Sequence, residues 1–82
     1  MKNISEEDLL KLIAEALDIS AEELSIESSS KNLIQWDSLG QLSILSTLEK
    51  NIGGDLAKLS ELGAAESVES IMEILDQNGF LA

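Results

Sequence analysis

The sequence predicts a small all-α fold, a helical bundle of three main helices and one short helix, with a long loop between helices one and two. Three segments repeat apolar residues at helical spacing, and no segment alternates apolar and polar residues as a strand would. The 82 residues are 44% hydrophobic and 26% charged, the composition of a folded chain with one modest core. We therefore expect residues 1–82 to form a single domain.

The first helix is predicted from Ser5 to about Asp18. A serine hydroxyl caps free amides, and the acids at 6–8 suit the positive end of the helix dipole. One buried stripe follows the i, i+3, i+4 rule, formed by Leu9, Leu12, Ile13, Ala16 and Leu17. Residues 19–36 then lose this period and predict the long loop, in which Ser20–Glu23 has the S-x-x-E form of a capping box.

The second helix is predicted to begin at Asp37 or Ser38, because residues 38–41 fit an S-x-x-Q capping box and Asp37 is also a good cap. Its apolar set is too wide for one buried stripe, since Leu42 and Ile44 lie about 200° apart around a helix. We expect Leu39 and Leu42 to form an exposed contact patch. The expected core set is Ile44, Leu45, Leu48 and Ile52.

Two further helices are predicted after the glycines at 53–54. Asp55 is expected to cap a short third helix, residues 56–62, which Gly63 stops. Ser67 is expected to cap a fourth helix. The inward face of that helix would consist of Val68, Ile71, Met72 and Leu75.

Charge and composition exclude several functions. Sixteen acids and five basic residues give a net charge of −11, which repels nucleic acids and anionic lipids and suits basic patches on other proteins. No apolar run approaches the ~18 residues of a membrane span, and we expect a cytoplasmic monomer. The chain has no cysteine and no histidine, so it lacks thiolate ligands and the usual general base. We predict no catalytic residues and no metal site.

Ser38 is the one candidate for chemistry that these exclusions leave. It lies at a helix N-terminus, where free amides and the dipole favour anions, so it suits either simple capping or the attachment of a phosphate ester. From the residues alone capping is the favoured interpretation, and attachment stays open.

The chain resembles the acyl carrier proteins over residues 6 to about 75. The likeness combines the acidic composition and length with several motifs in the family's order and at its spacing. These motifs are I-A-E-A-L at 13–17, E-E-L at 22–24, a long loop, D-S-L at 37–39, a leucine-rich helix ending in Leu48-Glu49, and Ser67-Val68 at the head of the last helix.

The resemblance implies that Ser38 receives 4′-phosphopantetheine from coenzyme A in a magnesium-dependent reaction of a separate phosphopantetheinyl transferase. Asp37 would help to position the transferase's metal and the serine. The arm's thiol would carry an acyl or aminoacyl group, which the aliphatic interior can shelter. Partners would be an activating ligase, a synthase or an acyltransferase, so the chain would be a carrier and not an enzyme. The implied or candidate contacts are Leu39, Leu42, Trp36 and Glu49.

Helix two differs from the family pattern in ways that predict a specialised carrier rather than the housekeeping carrier of fatty-acid synthesis. Acids typical of that helix are replaced by Gly40, Ser43 and Lys50, and only Glu49 keeps the negative sign. Ser46 replaces a commonly exposed methionine, and Trp36 replaces a smaller residue. For Trp36 we favour an indole packed on the loop over a recognition contact.

A second functional hypothesis needs no prosthetic group. An acidic helical adaptor with an apolar patch at Leu39 and Leu42 would bind a partner helix directly. The carrier hypothesis requires Ser38 to be modified and the adaptor hypothesis does not.

Overall fold

The computed structural model describes residues 4–53, 56 and 60–81, and within these it has three α-helices. They are α1 (Glu6–Leu17), α2 (Ser38–Ile52) and α3 (Val68–Gln77), with short 3₁₀ helices at Ala21–Glu23 and Ser60–Ala64. The β-type backbone pairing among the described residues consists of isolated single bridges. The predicted fold class is confirmed, including the long segment between α1 and α2.

The first helix follows its local signals. The Ser5 hydroxyl accepts a hydrogen bond from the Asp8 amide at 3.1 Å, and Asp18 closes the helix in the left-handed conformation with φ 58°. The predicted stripe is only partly right, because Leu12 and Ala16 are half-buried at its edges. The buried face is Leu9, Ile13, Ala14 and Leu17.

The long loop is held by its own side chains and by the start of α3. The predicted capping box at Ser20–Glu23 is present with both of its hydrogen bonds. Further along, the Ser30 amide donates to the Glu66 carbonyl at 2.9 Å, and the Val68 amide donates to the Ser28 carbonyl at 3.0 Å. These bonds fix the part of the loop that leads to α2.

The last helix also matches its prediction. Ser67 caps it by accepting a hydrogen bond from the Ser70 amide at 3.1 Å, and Asn78 ends it. The Ile4 amide donates to the Phe80 carbonyl at 3.0 Å and so joins the segment before α1 to the segment after α3. The inward face is Val68, Ile71, Met72 and Leu75, as expected.

The predicted third helix is partly wrong. A 3₁₀ helix begins at Ser60 and runs through Gly63 to Ala64, so Gly63 does not stop it. Gly63 is not among the glycines with positive φ, which are Gly53 and Gly79 in the described chain, so it does not form a left-handed cap. The predicted cap Asp55 and residues 57–59 lie outside the described residues.

The core lies between the three helices and the 3₁₀ helix Ser60–Ala64. It combines aliphatic side chains with both aromatic residues, Trp36 and Phe80. In the described part of the chain every buried side-chain polar atom has a hydrogen-bond partner. None of the helices described is long and apolar enough to cross a membrane. The α2 residues in the core are Ile44, Leu48 and Ile52, with Leu45 half-buried at the edge.

Candidate functional site

Asp37, and not Ser38, caps α2. The Asp37 backbone is extended, and its carboxylate Oδ1 accepts a hydrogen bond from the Gly40 amide at 2.8 Å. The S-x-x-Q capping box predicted at 38–41 is therefore wrong, because the side chain of its last member, Gln41, turns into the core. Of the two candidate caps the structure selects the acid.

Ser38 is the first residue of α2 and its side chain is exposed. As the first helical residue, Ser38 lies at the end of α2 where backbone amides lack intrahelical partners and negative charge is favoured. Since Asp37 supplies the cap, the helix does not depend on the Ser38 hydroxyl for its start. A group joined to that oxygen would project into solvent next to a partly positive helix end.

Leu39 and Leu42 form the exposed patch that the sequence predicts. Their side chains are 74% and 62% exposed, and a spacing of three residues puts them on one face of α2. Both line an open groove between α1 and α2, together with Glu15, Ala16, Ser43, Ser46 and Thr47. The attachment candidate and the apolar patch are thus adjacent at one end of the molecule.

Ile34 is an exposed apolar residue that sequence reasoning missed. It is 93% exposed and lies four residues before Ser38, between half-buried Leu33 and buried Trp36. The loop has no periodicity from which its direction could be predicted. The structure adds it to the apolar residues exposed on the chain near Ser38.

Trp36 is buried, which corrects its assignment as a possible partner contact. Only 2% of it is exposed, and its indole Nε1 donates a hydrogen bond to Gln41 Oε1 at 2.6 Å. Gln41 Nε2 in turn donates to the carbonyls of Leu62 and Ala65 at 3.0 and 3.1 Å. We call this set of three hydrogen bonds the Trp36–Gln41 clamp. It fixes the residues on both sides of Ser38 to the segment that precedes α3.

Gly40 is required by close packing. A Cβ atom added there would overlap the carbonyl oxygen of Gln35 and lie 2.9 Å from Leu17 Cδ2. At position 40, α2 therefore packs against the loop and α1 so closely that a methyl group does not fit. Of the differences in and around α2 that predict specialisation, Gly40 and Trp36 are buried, whereas Ser43, Ser46 and Lys50 are exposed.

Glu49 is exposed but lies far from the attachment candidate. It lies eleven positions after Ser38, about 16 Å along the helix axis. It borders a second shallow groove with Ser46, Thr47 and Lys50. The first turn of α2 contains no acid, so Asp37 is the carboxylate beside Ser38 in the sequence.

The described residues contain no cluster of three or more acidic, histidine or cysteine side chains that could hold a metal ion. The sequence has no histidine to remove the Ser38 proton. The arrangement places an exposed serine beside an acid in the sequence and beside an exposed apolar patch on α2.

Comparisons with protein-family models, with curated proteins and with solved structures found no match to this chain.

Proposed function

We propose that this protein is an acyl carrier protein that holds an acyl or aminoacyl group as a thioester on a 4′-phosphopantetheine arm joined to Ser38. The supporting observation is the exposed Ser38 hydroxyl at the first residue of α2, which the helix does not need for its own cap. The motifs shared with acyl carrier proteins give the same residue this role.

The local electrostatics suit the phosphate of such an arm. A phosphodiester at Ser38 would lie at the partly positive end of α2, close to unpaired amides of the first turn. Asp37 holds the helix start with Oδ1 and stands beside the serine in the sequence. The transferase would supply the magnesium ion and the base, which agrees with a chain that has no histidine.

Leu39 and Leu42 are the proposed contact surface for the transferase and for the ligase, synthase or acyltransferase partners. Their exposure places apolar area directly after the attachment residue. The exposed Ser43, Ser46 and Lys50 replace the acids and methionine typical of housekeeping carriers. We propose that these partners form a specialised set. A housekeeping ketoacyl synthase and malonyl transferase should then accept the holo protein poorly. Efficient acceptance by these enzymes would refute the specialisation.

The adaptor function is the second candidate, and the exposure of Leu39 and Leu42 also favours it. An apolar pair on one helix face fits the groove or helix of a partner without any arm. It differs from carriage in one respect that can be measured, because it predicts that Ser38 is never modified.

Intact-mass measurement separates the two functions. The protein is incubated with coenzyme A, magnesium and a broad-specificity phosphopantetheinyl transferase. Carriage predicts a gain of one phosphopantetheine that Ser38→Ala abolishes. A mass that stays unchanged with several transferases would support the adaptor and contradict carriage.

A further inference from the structure

A group attached at Ser38 would meet two packed seams at the first turn of α2, one toward α1 and one toward the segment before α3. On one side Gly40 faces Leu17 of α1. On the other side Gln41 reaches the segment around the 3₁₀ helix Ser60–Ala64 through Leu62. The packing along these two seams decides whether a carried chain can enter the bundle.

At Gly40 the seam between α1 and α2 is closed by direct packing, beneath the open groove at Leu39 and Leu42. A single Cβ at Gly40 would overlap the backbone carbonyl of Gln35 and press on Leu17. The obstructing carbonyl belongs to the backbone, so it cannot move aside as a side chain does. An alkyl chain is about as thick as the methyl group that does not fit at Gly40.

The seam on the other side is closed by the Trp36–Gln41 clamp. The Trp36 indole is buried in the core, and three hydrogen bonds join it through Gln41 to the carbonyls of Leu62 and Ala65. A chain that entered here would separate these groups and surround them with methylenes, which accept no hydrogen bond. Leaving buried polar groups unpaired is strongly unfavourable.

We infer that the group carried on Ser38 stays outside the bundle and is therefore short or polar, of the class of aminoacyl or small hydroxyacyl groups. A long alkyl chain held outside would keep most of its apolar surface in water, because the open groove at Leu39 and Leu42 would cover it on one side only. This inference rests on the proposed function and replaces the expectation that the interior shelters the cargo.

The test exploits the absence of cysteine, which makes Ser38→Cys a unique thiol. Reaction with methyl or decyl methanethiosulfonate joins an S-alkyl group by a disulfide and releases methanesulfinate. Trp36 is the only tryptophan and reports on the clamp. We expect the two adducts to have the same fluorescence maximum and the same unfolding midpoint. A shift in the maximum or a raised midpoint in the decyl adduct alone would overturn the inference.

Gln41→Ala in the Ser38→Cys background is the matched control, because it removes the clamp and keeps the fluorophore. A chain-length effect on Trp36 fluorescence that occurs only in this variant supports the inference, and an equal effect in both backgrounds overturns it. Circular dichroism shows whether the Gln41→Ala variant is folded. If it is not, the comparison of the methyl and decyl adducts of Ser38→Cys decides the inference by itself. Chemical labelling needs no transferase, so failure of enzymatic loading would contradict the proposed function alone.

Discussion

Asp37 and Ser38 are adjacent residues at the start of α2, and only Asp37 caps the helix. The acid accepts the Gly40 amide and holds the helix end, while the serine hydroxyl is exposed on the first helical residue. The sequence left both residues as possible caps because aspartate and serine cap helices about equally well. The structure resolves that choice in favour of Asp37, so that modification of the Ser38 hydroxyl would leave the cap of α2 in place.

Two substitutions of Asp37 separate capping from its proposed role in loading. Asp37→Ala removes the acceptor for the Gly40 amide and should lower the free energy of unfolding by about 1 kcal/mol. Asp37→Asn keeps a side-chain oxygen and should lose less, about 0.5 kcal/mol, because only the charge at the helix end is lost. Both variants lack the carboxylate, so transferase loading should slow by a similar factor in both. Urea unfolding and time-resolved intact mass measure the two effects, and an Asp37→Asn variant that loads at the wild-type rate would contradict the proposed role.

Gly40→Ala should destabilise the protein, although alanine has a higher helix propensity than glycine. Alanine is favoured over glycine within a helix by about 1 kcal/mol, but here its Cβ would overlap the Gln35 carbonyl. We expect a net loss of about 1–3 kcal/mol in the free energy of unfolding. Ser43→Ala on the exposed face of the same helix is the control and should change stability by no more than about 0.5 kcal/mol. A Gly40→Ala variant at least as stable as the wild type would disprove the close packing.

The elements differ in how far the sequence predicts them. The caps and apolar stripes of α1 and α3 are local, so Ser5, Ser67 and their spacing were sufficient to place both helices. In the Trp36–Gln41 clamp, Gln41 donates to the carbonyls of Leu62 and Ala65, which lie 21 and 24 positions further along the chain. Nothing in the local sequence signals these contacts. The same inward turn of Gln41 invalidated the capping box at Ser38.

The short 3₁₀ helix and the loop show a second limit of sequence reasoning. In a segment as short as Ser60–Ala64 the spacing of apolar residues cannot distinguish an α-helix from a 3₁₀ helix. Gly63 predicts a stop, but the 3₁₀ helix continues through it to Ala64. Ile34 is exposed and Trp36 buried because tertiary packing sets the direction of each loop side chain. The site residues on α2 were predicted, and the contacts that hold them in place were not.

Breaking the clamp should loosen the attachment of α2 to the segment before α3. Gln41→Ala leaves the Trp36 indole and the carbonyls of Leu62 and Ala65 without their partner, and we expect a loss of about 1–3 kcal/mol in the free energy of unfolding. Fluorescence of Trp36 should shift to the red as water reaches the indole. Exposed Gln35→Ala is the matched control and should leave both readings unchanged. An unaltered spectrum in Gln41→Ala would show that the clamp is not maintained in solution.

At the scale of the whole molecule, the charge of −11 opposes folding through self-repulsion. Raising sodium chloride from about 0.01 to 0.1 M shortens the Debye length from about 30 to 10 Å. We expect this screening to relieve about 1 kcal/mol of repulsion and to raise the unfolding midpoint by roughly 4–8 °C. Scanning calorimetry at the two salt concentrations measures the change.

A variant with fewer charges provides the control for this salt effect. Replacing exposed Glu15, Glu49 and Glu73 by glutamine removes three carboxylates, which takes the net charge from −11 to −8. Its midpoint should rise less with salt than that of the wild type. An equal or larger rise would indicate that salt acts through something other than charge repulsion.

Carriage on Ser38 can be tested by loading three proteins side by side. Wild type, Ser38→Ala and Ser43→Ala are incubated with coenzyme A, magnesium and transferase, and their intact masses are measured. Because Asp37 supplies the cap, Ser38→Ala should stay folded by circular dichroism. We predict one phosphopantetheine on wild type and on Ser43→Ala, and none on Ser38→Ala. An unmodified wild type, or a folded Ser38→Ala that still gains the mass, would contradict the claim.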